Sequence, residues 1–172
     1  RDGMSLTFRP AHPADLAAFA VPAAGGATGE RRAWLVGALE RQAVSVGVAG
    51  DQLCAYSVME EIFLGHAFVS LLCVAPAWRR RGVGAALLVH LCAVASTLKV
   101  FSSTDVSNAP MHALFRRLGW EVSGVLNQLD AGDPEVVYVW RFRRRSAQEP
   151  DRQRIPVVPV SYTHLTLPTS DL

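Results

Sequence analysis

Disulfide, zinc and membrane-spanning chemistry find little to work with in this sequence. Among its 172 residues there are only three cysteines. Cys54, Cys73 and Cys92 are odd in number and lack Cys-x-x-Cys spacing, so reduced thiols in a cytoplasmic protein are expected rather than disulfides or zinc ligands. The histidines at 12, 66, 90, 112 and 164 are scattered without metal-ligand spacing, and no metal is expected. No apolar run reaches the roughly 18 residues of a membrane span, and the start of the chain lacks the charged and apolar segments of a signal peptide. Charge is sparse as well, 19% of residues with a formal net of +2. The one basic run, Arg143–Arg145, has no interleaved aromatics and reads as a solvated end rather than a nucleic-acid contact. What remains is apolar: half of the residues, enough for one well-buried core.

One stretch stands out, Leu72-Cys73-Val74-Ala75-Pro76-Ala77-Trp78-Arg79-Arg80-Arg81-Gly82-Val83-Gly84 followed by Ala85-Ala86-Leu87-Leu88. An apolar strand leads into an Arg-x-x-Gly-x-Gly turn and then an Ala/Leu-rich helix. Glycines at 82 and 84 let the backbone approach a ligand closely, and the N–H groups and dipole of the helix start converge on the same point. Three arginines add donors for phosphate. The stretch is therefore expected to cradle a diphosphate-bearing cofactor. A dinucleotide fingerprint is excluded, because Leu87 stands where the third glycine would fall and no acidic residue follows at the ribose distance. A Walker loop is excluded by the absence of Gly-Lys-Ser/Thr.

Leu72-x-Val74-x-Pro76 followed by Arg79-x-x-Gly82-x-Gly84 resembles the acetyl-CoA motif of the GNAT superfamily of N-acetyltransferases. Asn108-Ala109-Pro110-Met111-His112-Ala113-Leu114-Phe115-Arg116-Arg117-Leu118-Gly119-Trp120 resembles a later helix of that superfamily. The likeness extends over residues 4–142, which it marks as a single domain.

The pattern of elements agrees with it. Strands are expected at Leu6–Arg9, Val44–Ala49, Leu53–Glu60, 66–74, Val100–Ser103, Trp120–Leu129 and Glu135–Phe142. Helices are expected to open at His12–Asp15 and to span Glu30–Gln42, Val83–Leu98 and Pro110–Leu118. Trp34, Leu35, Ala38 and Leu39 recur at helical spacing and read as core. The order β-α-α-β-β-β-α-β-α-β-β implies an α/β (α+β) GNAT fold: a mixed, mostly antiparallel sheet of about seven strands with four helices and splayed central strands. Residues 1–3 and 143–172 are expected to lie outside the domain, the tail being disordered or artefactual; Ser161–Ser170 resembles translated adapter sequence.

The resemblance implies a site. Acetyl-CoA would enter between the splayed strands, with backbone groups of Leu72, Cys73 and Val74 along its arm and the Leu72 N–H polarising the acetyl carbonyl. Arg79, Arg80, Arg81, Gly82, Val83, Gly84 and Ala85 would hold the pyrophosphate. Asn108 would hydrogen-bond the arm or cap its helix, and Arg116 would reach the 3′-phosphate or lie on a solvated face. The superfamily's usual thiolate donor is a tyrosine where this chain has Phe115, which leaves Ser103, Ser107 or solvent for that task. Strict alternation along the central strand puts His66, Phe68, Ser70, Leu72 and Val74 on one face, with no carboxylate there. Base candidates are accordingly His66, Glu60 and Glu61, working through water.

For the acceptor, Asp130, Asp133 and Glu135 on the closing loop, with Glu60 and Glu61, favour a small cationic amine such as an aminoglycoside or a polyamine. Acetylation of a protein or peptide amine, and a CoA-binding module without turnover, are the competing readings. Neither nucleic acid nor membrane is an expected partner, and a homodimer is left open.

Overall fold

The computed structural model describes residues 5–19, 29–129 and 132–142. The chain divides into two units, Arg1–Phe142 and Arg143–Leu172, and all described residues belong to the first.

Strand β1 (Leu6–Pro10) is followed by a short 3-10 helix (Pro13–Ala18), the first of the expected helices. His12 caps it: its ring accepts from the Ala14 N–H, and the Asp15 carboxylate returns to the His12 N–H at 2.7 Å. Next come α1 (Gly29–Glu40), β2 (Val44–Ala49), β3 (Gln52–Phe63) and β4 (His66–Val74), and a single 3-10 turn at Pro76–Trp78. The remaining elements are α2 (Val83–Val94), β5 (Lys99–Asp105), α3 (Ala109–Arg117), β6 (Glu121–Leu126) and β7 (Glu135–Arg141).

Seven strands form one sheet in the order β1-β2-β3-β4-β5-β7-β6. Every pairing is antiparallel except β4 with β5. A parallel pair needs a crossover, and α2 supplies it.

Several elements end elsewhere than expected, β6 at Leu126 rather than Leu129 among them, and two show a physical reason. Helix α2 stops at Val94 rather than Leu98 because the hydroxyls that follow serve the sheet. Thr97 Oγ1 accepts from the Ala67 N–H at 3.1 Å and donates to the Lys99 carbonyl at 2.6 Å, at the point where β4 and β5 begin. Strand β3 runs on to Phe63 instead of Glu60, turning into β4 through Leu64 and Gly65, both left-handed at φ 52° and 76°.

The sheet has a core on each side. On one face, α2 and α3 pack Val83, Leu87, Leu88, Leu91 and Phe115 against Ala67, Val69 and Val100. Each such fully buried Leu or Phe contributes about 1.5–3 kcal/mol. On the other, α1 and Phe19 pack Leu35 and Ala38 against Val44, Val46, Tyr56 and Val58.

One irregularity matters for the site. Val58 pairs with Leu71 but Met59 pairs with Val69, so Ser70 is the extra residue of a β-bulge in β4. A bulge flips the side-chain parity beyond it. Ala67 and Val69 face α2 before the bulge, whereas Leu72 and Val74 face it afterwards; Leu71 and Cys73 join the α1 core. The single face expected from strict alternation over 66–74 is therefore corrected. His66 and Phe68 lie on the α1 face, Leu72 and Val74 on the α2 face, and Ser70 is exposed between them.

Candidate active site

Strands β4 and β5 pair at Ala67↔Val100, Phe68↔Phe101 and Val69↔Ser102, and at no residue beyond. Past Val69 and Ser102 β4 continues to Val74 and β5 to Asp105, so a notch opens in the middle of the sheet. Its β4 edge carries the Ser70 bulge and then Leu72 to Val74.

At the end of that edge the chain turns into α2. Gly82 adopts a left-handed conformation at φ 81°, and no side chain caps the helix. The first-turn N–H groups at Val83, Gly84 and Ala85 therefore have no intrahelical partner and no cap, a donor set that suits a phosphate. Gly84 answers a different demand. A Cβ there would stand 3.3 Å from Val74 Cγ2 and 4.0 Å from both Leu114 Cδ2 and Leu72 Cδ2. Any larger residue would fill the space between α2, β4 and α3.

The three arginines have separate positions. Arg79 Nε donates to the Val74 carbonyl at 3.1 Å, stitching the turn to the strand end. Arg81 lies over the Trp78 ring at 5.5 Å. Arg80 takes a left-handed φ of 59°, and all three are exposed.

On the far side of the notch, α3 begins at Asn108. Its side-chain oxygen accepts from the Met111 N–H at 3.3 Å, so it caps the helix and retains only its amide N–H groups for a ligand. Arg116 is exposed on the same helix. Phe115 is wholly buried and stacks on Tyr138, with ring centroids 4.5 Å apart, and against Trp120 at 5.0 Å. It is a core residue in this structure, with no surface for a ligand.

The acid and base candidates are dispersed. Glu60 points to the α1 face, where Arg41 Nε donates to it at 2.7 Å, and this pairing raises the arginine's pKa. Glu61 points the opposite way and accepts from the Ser96 hydroxyl. His66 begins β4, and Leu72 stands six positions on, about 20 Å along an extended strand. That distance exceeds the reach of a base acting directly or through one water. The structure leaves His66, Glu60 and Glu61 at the hairpin end of β3 and β4 and brings none of them to Leu72.

On the closing loop, Asp133 is already engaged. It accepts from the Ser107 N–H at 3.1 Å and from the Ser107 hydroxyl at 2.5 Å, clasping the loop before α3 to the loop before β7. Glu135 pairs directly with Asp105 across β5 and β7. Asp130 lies outside the described residues.

A hydrogen-bonded pair escaped sequence reasoning. His112 Nδ1 lies 2.7 Å from the Tyr138 hydroxyl, and Nε2 lies 3.0 and 3.1 Å from the carbonyls of Asp105 and Val106. Carbonyls only accept, so Nε2 carries the proton and the tyrosine donates to Nδ1. The pair ties the first turn of α3 to the end of β5. No spacing in the sequence announces it, since the two residues meet only through the β5–β7 register.

Among the described residues no group of His, Cys, Asp and Glu could hold a metal ion, and no helix is long and apolar enough to cross a membrane. The model of the acetyltransferase (GNAT) family matches residues 18–120, more than half of the chain. A search of curated proteins found no match. Among solved structures, an acetyltransferase of the GNAT family from Bacillus cereus ATCC 10987 superposes with a TM-score of 0.75 at 26% identity, covering 81% of this chain and 99% of that one. The ribosomal-protein-S18-alanine N-acetyltransferase from Escherichia coli follows with a TM-score of 0.66 at 18% identity, over 87% of this chain and 99% of its own. A structure from Bacillus anthracis str. Ames, in complex with acetyl coenzyme A, has a TM-score of 0.54 at 15% identity, over 58% of this chain and 62% of that one. By fold and by family match, the chain belongs to the GNAT family of acetyltransferases, N-acetyltransferases that use acetyl-CoA as cosubstrate.

Proposed function

We propose that this acetyltransferase transfers the acetyl group directly to the primary amine of a small cationic molecule, the class to which aminoglycosides and polyamines belong. The observation that carries the reading is the cross-strand pair Asp105↔Glu135 at the open end of the notch, with Asp133 two positions before β7. Three acidic residues gathered at that end of the notch draw a cation toward it.

The roles of individual residues follow from their positions. Bound acetyl-CoA supplies an activated acetyl thioester. The uncapped N–H groups at Val83, Gly84 and Ala85, with Arg79, Arg80 and Arg81 around the turn, hold the pyrophosphate. The Leu72 N–H, on the notch edge beyond the bulge, donates to the acetyl oxygen. Such a donor is generally worth about 10²–10³ in rate. Cys73 offers the arm no polar group, because its side chain is buried in the α1 core and its backbone faces Tyr56 of β3. Asn108 offers its amide N–H groups, and Arg116 its guanidinium to the 3′-phosphate.

With Glu60 and Glu61 paired and His66 remote from Leu72, the proton of the attacking amine leaves to water at the exposed Ser70 bulge. Ser103 lines the other edge on the α1 face. With Phe115 buried, the thiolate departs without a protein donor. A thiol of pKa near 8.5 is an adequate leaving group. Three buried, free cysteines accord with a cytoplasmic location.

The test is a panel of amines with acetyl-CoA, following released thiol at low and high salt. Turnover of cationic amines whose KM rises with salt supports the reading. Efficient acetylation of neutral peptides, with no turnover of small amines, overturns it.

A further inference from the structure

The α1 face of the sheet carries four aromatic rings that belong to neither core. Phe63 lies 5.3 Å from Phe68 and 5.0 Å from Phe101, ring centre to ring centre, and His66 lies 5.6 Å from Phe101. None of the four is among the residues that α1, α2 and α3 pack against. All four are only partly buried. A chain with 8% aromatic residues has gathered a cluster of rings where no described helix covers it.

Its place in the sheet is informative. Phe68 and Phe101 are cross-strand partners, one step below Val69↔Ser102, the last pair before the strands part. The rings thus form the floor beneath the notch apex. Helices α2 and α3 occupy the opposite face, and α2 starts at the phosphate-binding turn. An acceptor must therefore reach the thioester from the α1 face, across this floor. From Phe101 to Ser103 is about 7 Å along the strand, a span that an aromatic ring with a two-carbon amine arm covers. His66 adds a polar mark to the cluster: its Nδ1 is shielded from solvent and has no hydrogen-bond partner. A buried polar atom in that state gains from a ligand that supplies one.

We propose that Phe63, Phe68, Phe101 and His66 form an aromatic subsite for the acceptor, selecting a primary amine joined by a short arm to an aromatic ring. The proposal rests on the small-amine reading above and narrows it. Offset or edge-on ring packing holds the aryl group. The ammonium lies toward the notch, below the Asp105 and Glu135 carboxylates.

The protein is assayed by thiol release with tyramine, phenethylamine, spermidine and kanamycin at saturating acetyl-CoA, while calorimetry follows CoA binding. The expected result is a kcat/KM for tyramine and phenethylamine at least tenfold above that for spermidine and kanamycin. Phe68→Ala and Phe101→Ala should each raise the KM for tyramine about tenfold and leave the KM for acetyl-CoA unchanged. Phe68→Leu, which keeps most of the volume and removes the ring, serves should the alanine variant not fold. Equal or better use of spermidine or kanamycin overturns the subsite and leaves the small-amine reading intact. So does an equal loss with all four amines in the variants. Tight CoA binding with no transfer to any amine overturns both.

Discussion

Replacing Gly84 by glutamate tests the phosphate cradle most directly, because the structure separates the two glycines of the turn by what each must do. At Gly84 the constraint is space. An added Cβ meets Val74 Cγ2 at 3.3 Å, a few tenths of an ångström inside comfortable contact. Helix propensity favours alanine over glycine by up to about 1 kcal/mol, so Gly84→Ala should melt within a few degrees of the parent. At Gly82 the constraint is conformation. Its φ of 81° lies in the left-handed region with nothing within 4 Å of an added Cβ, so Gly82→Ala costs about 1–2 kcal/mol. For a chain of this length that lowers the midpoint by about 2–8 °C. Gly84→Glu adds a charge to the bulk. A carboxylate about 5 Å from one phosphate charge is repelled by about 3 kcal/mol at an effective dielectric of 20, more than a hundredfold in Kd. Calorimetric titration with CoA should show that loss in a variant that still melts cooperatively, with partial recovery at high salt as the repulsion is screened. A folded Gly84→Glu protein that binds CoA within about threefold of the parent refutes the cradle.

Other expectations are as follows. Phe115→Tyr places a hydroxyl in a closed core between Tyr138 and Trp120, at a cost of about 1–3 kcal/mol for an unpaired polar group; the melt should fall and turnover should not rise, and a faster enzyme would show that the ring reaches the thioester. Asp133→Ala removes both bonds to Ser107; faster amide exchange at Ser107 and Asn108 should accompany a raised KM for acetyl-CoA, and unchanged exchange would deny the clasp. Burial raises the Cys92 thiol to about 12 and also pushes up Cys54. Native protein should therefore react slowly with a thiol reagent at pH 8 and release all three thiols on unfolding. The sign for stability is set by the raised folded value: the Cys92 contribution is complete below about pH 9 and is lost as pH rises toward about 12. A urea midpoint that climbs over that interval would contradict it.

Much of the fold was legible because its elements are locally consistent. The glycine turn, the Ala/Leu-rich helix and the β-branched strands each carry their own pattern, and the order of elements followed from them. What was hidden is long-range. Arg41 with Glu60, Ser107 with Asp133 and His112 with Tyr138 are pairs made by sheet register and helix placement. Each withdraws a polar residue from the pool of acids, bases and binding groups that the sequence offers. Asn108 shows how one residue can serve either reading: an asparagine before a helix suits a cap and an amide contact equally, and here its oxygen is committed to Met111.

The deeper gap between sequence and site lies in one residue of β4. Strict alternation assigns His66, Phe68, Ser70, Leu72 and Val74 to a single face and so sets the base candidates beside the thioester. The extra residue at Ser70 divides that set. Upstream of it, His66 and Phe68 turn to the α1 face and join Phe63 and Phe101; downstream, Leu72 and Val74 turn beneath α2, next to Gly84. The same bulge ends regular pairing on the β4 side just where β5 departs, which frees backbone groups for a ligand. One inserted residue thereby gives the two halves of the strand different chemistry, backbone donors for the cosubstrate above and rings facing the acceptor below. Removing Ser70 would restore simple alternation with Leu72 still facing α2, but would take away the break in regular pairing that frees backbone groups at the notch. Such a deletion should abolish CoA binding even if the sheet still forms.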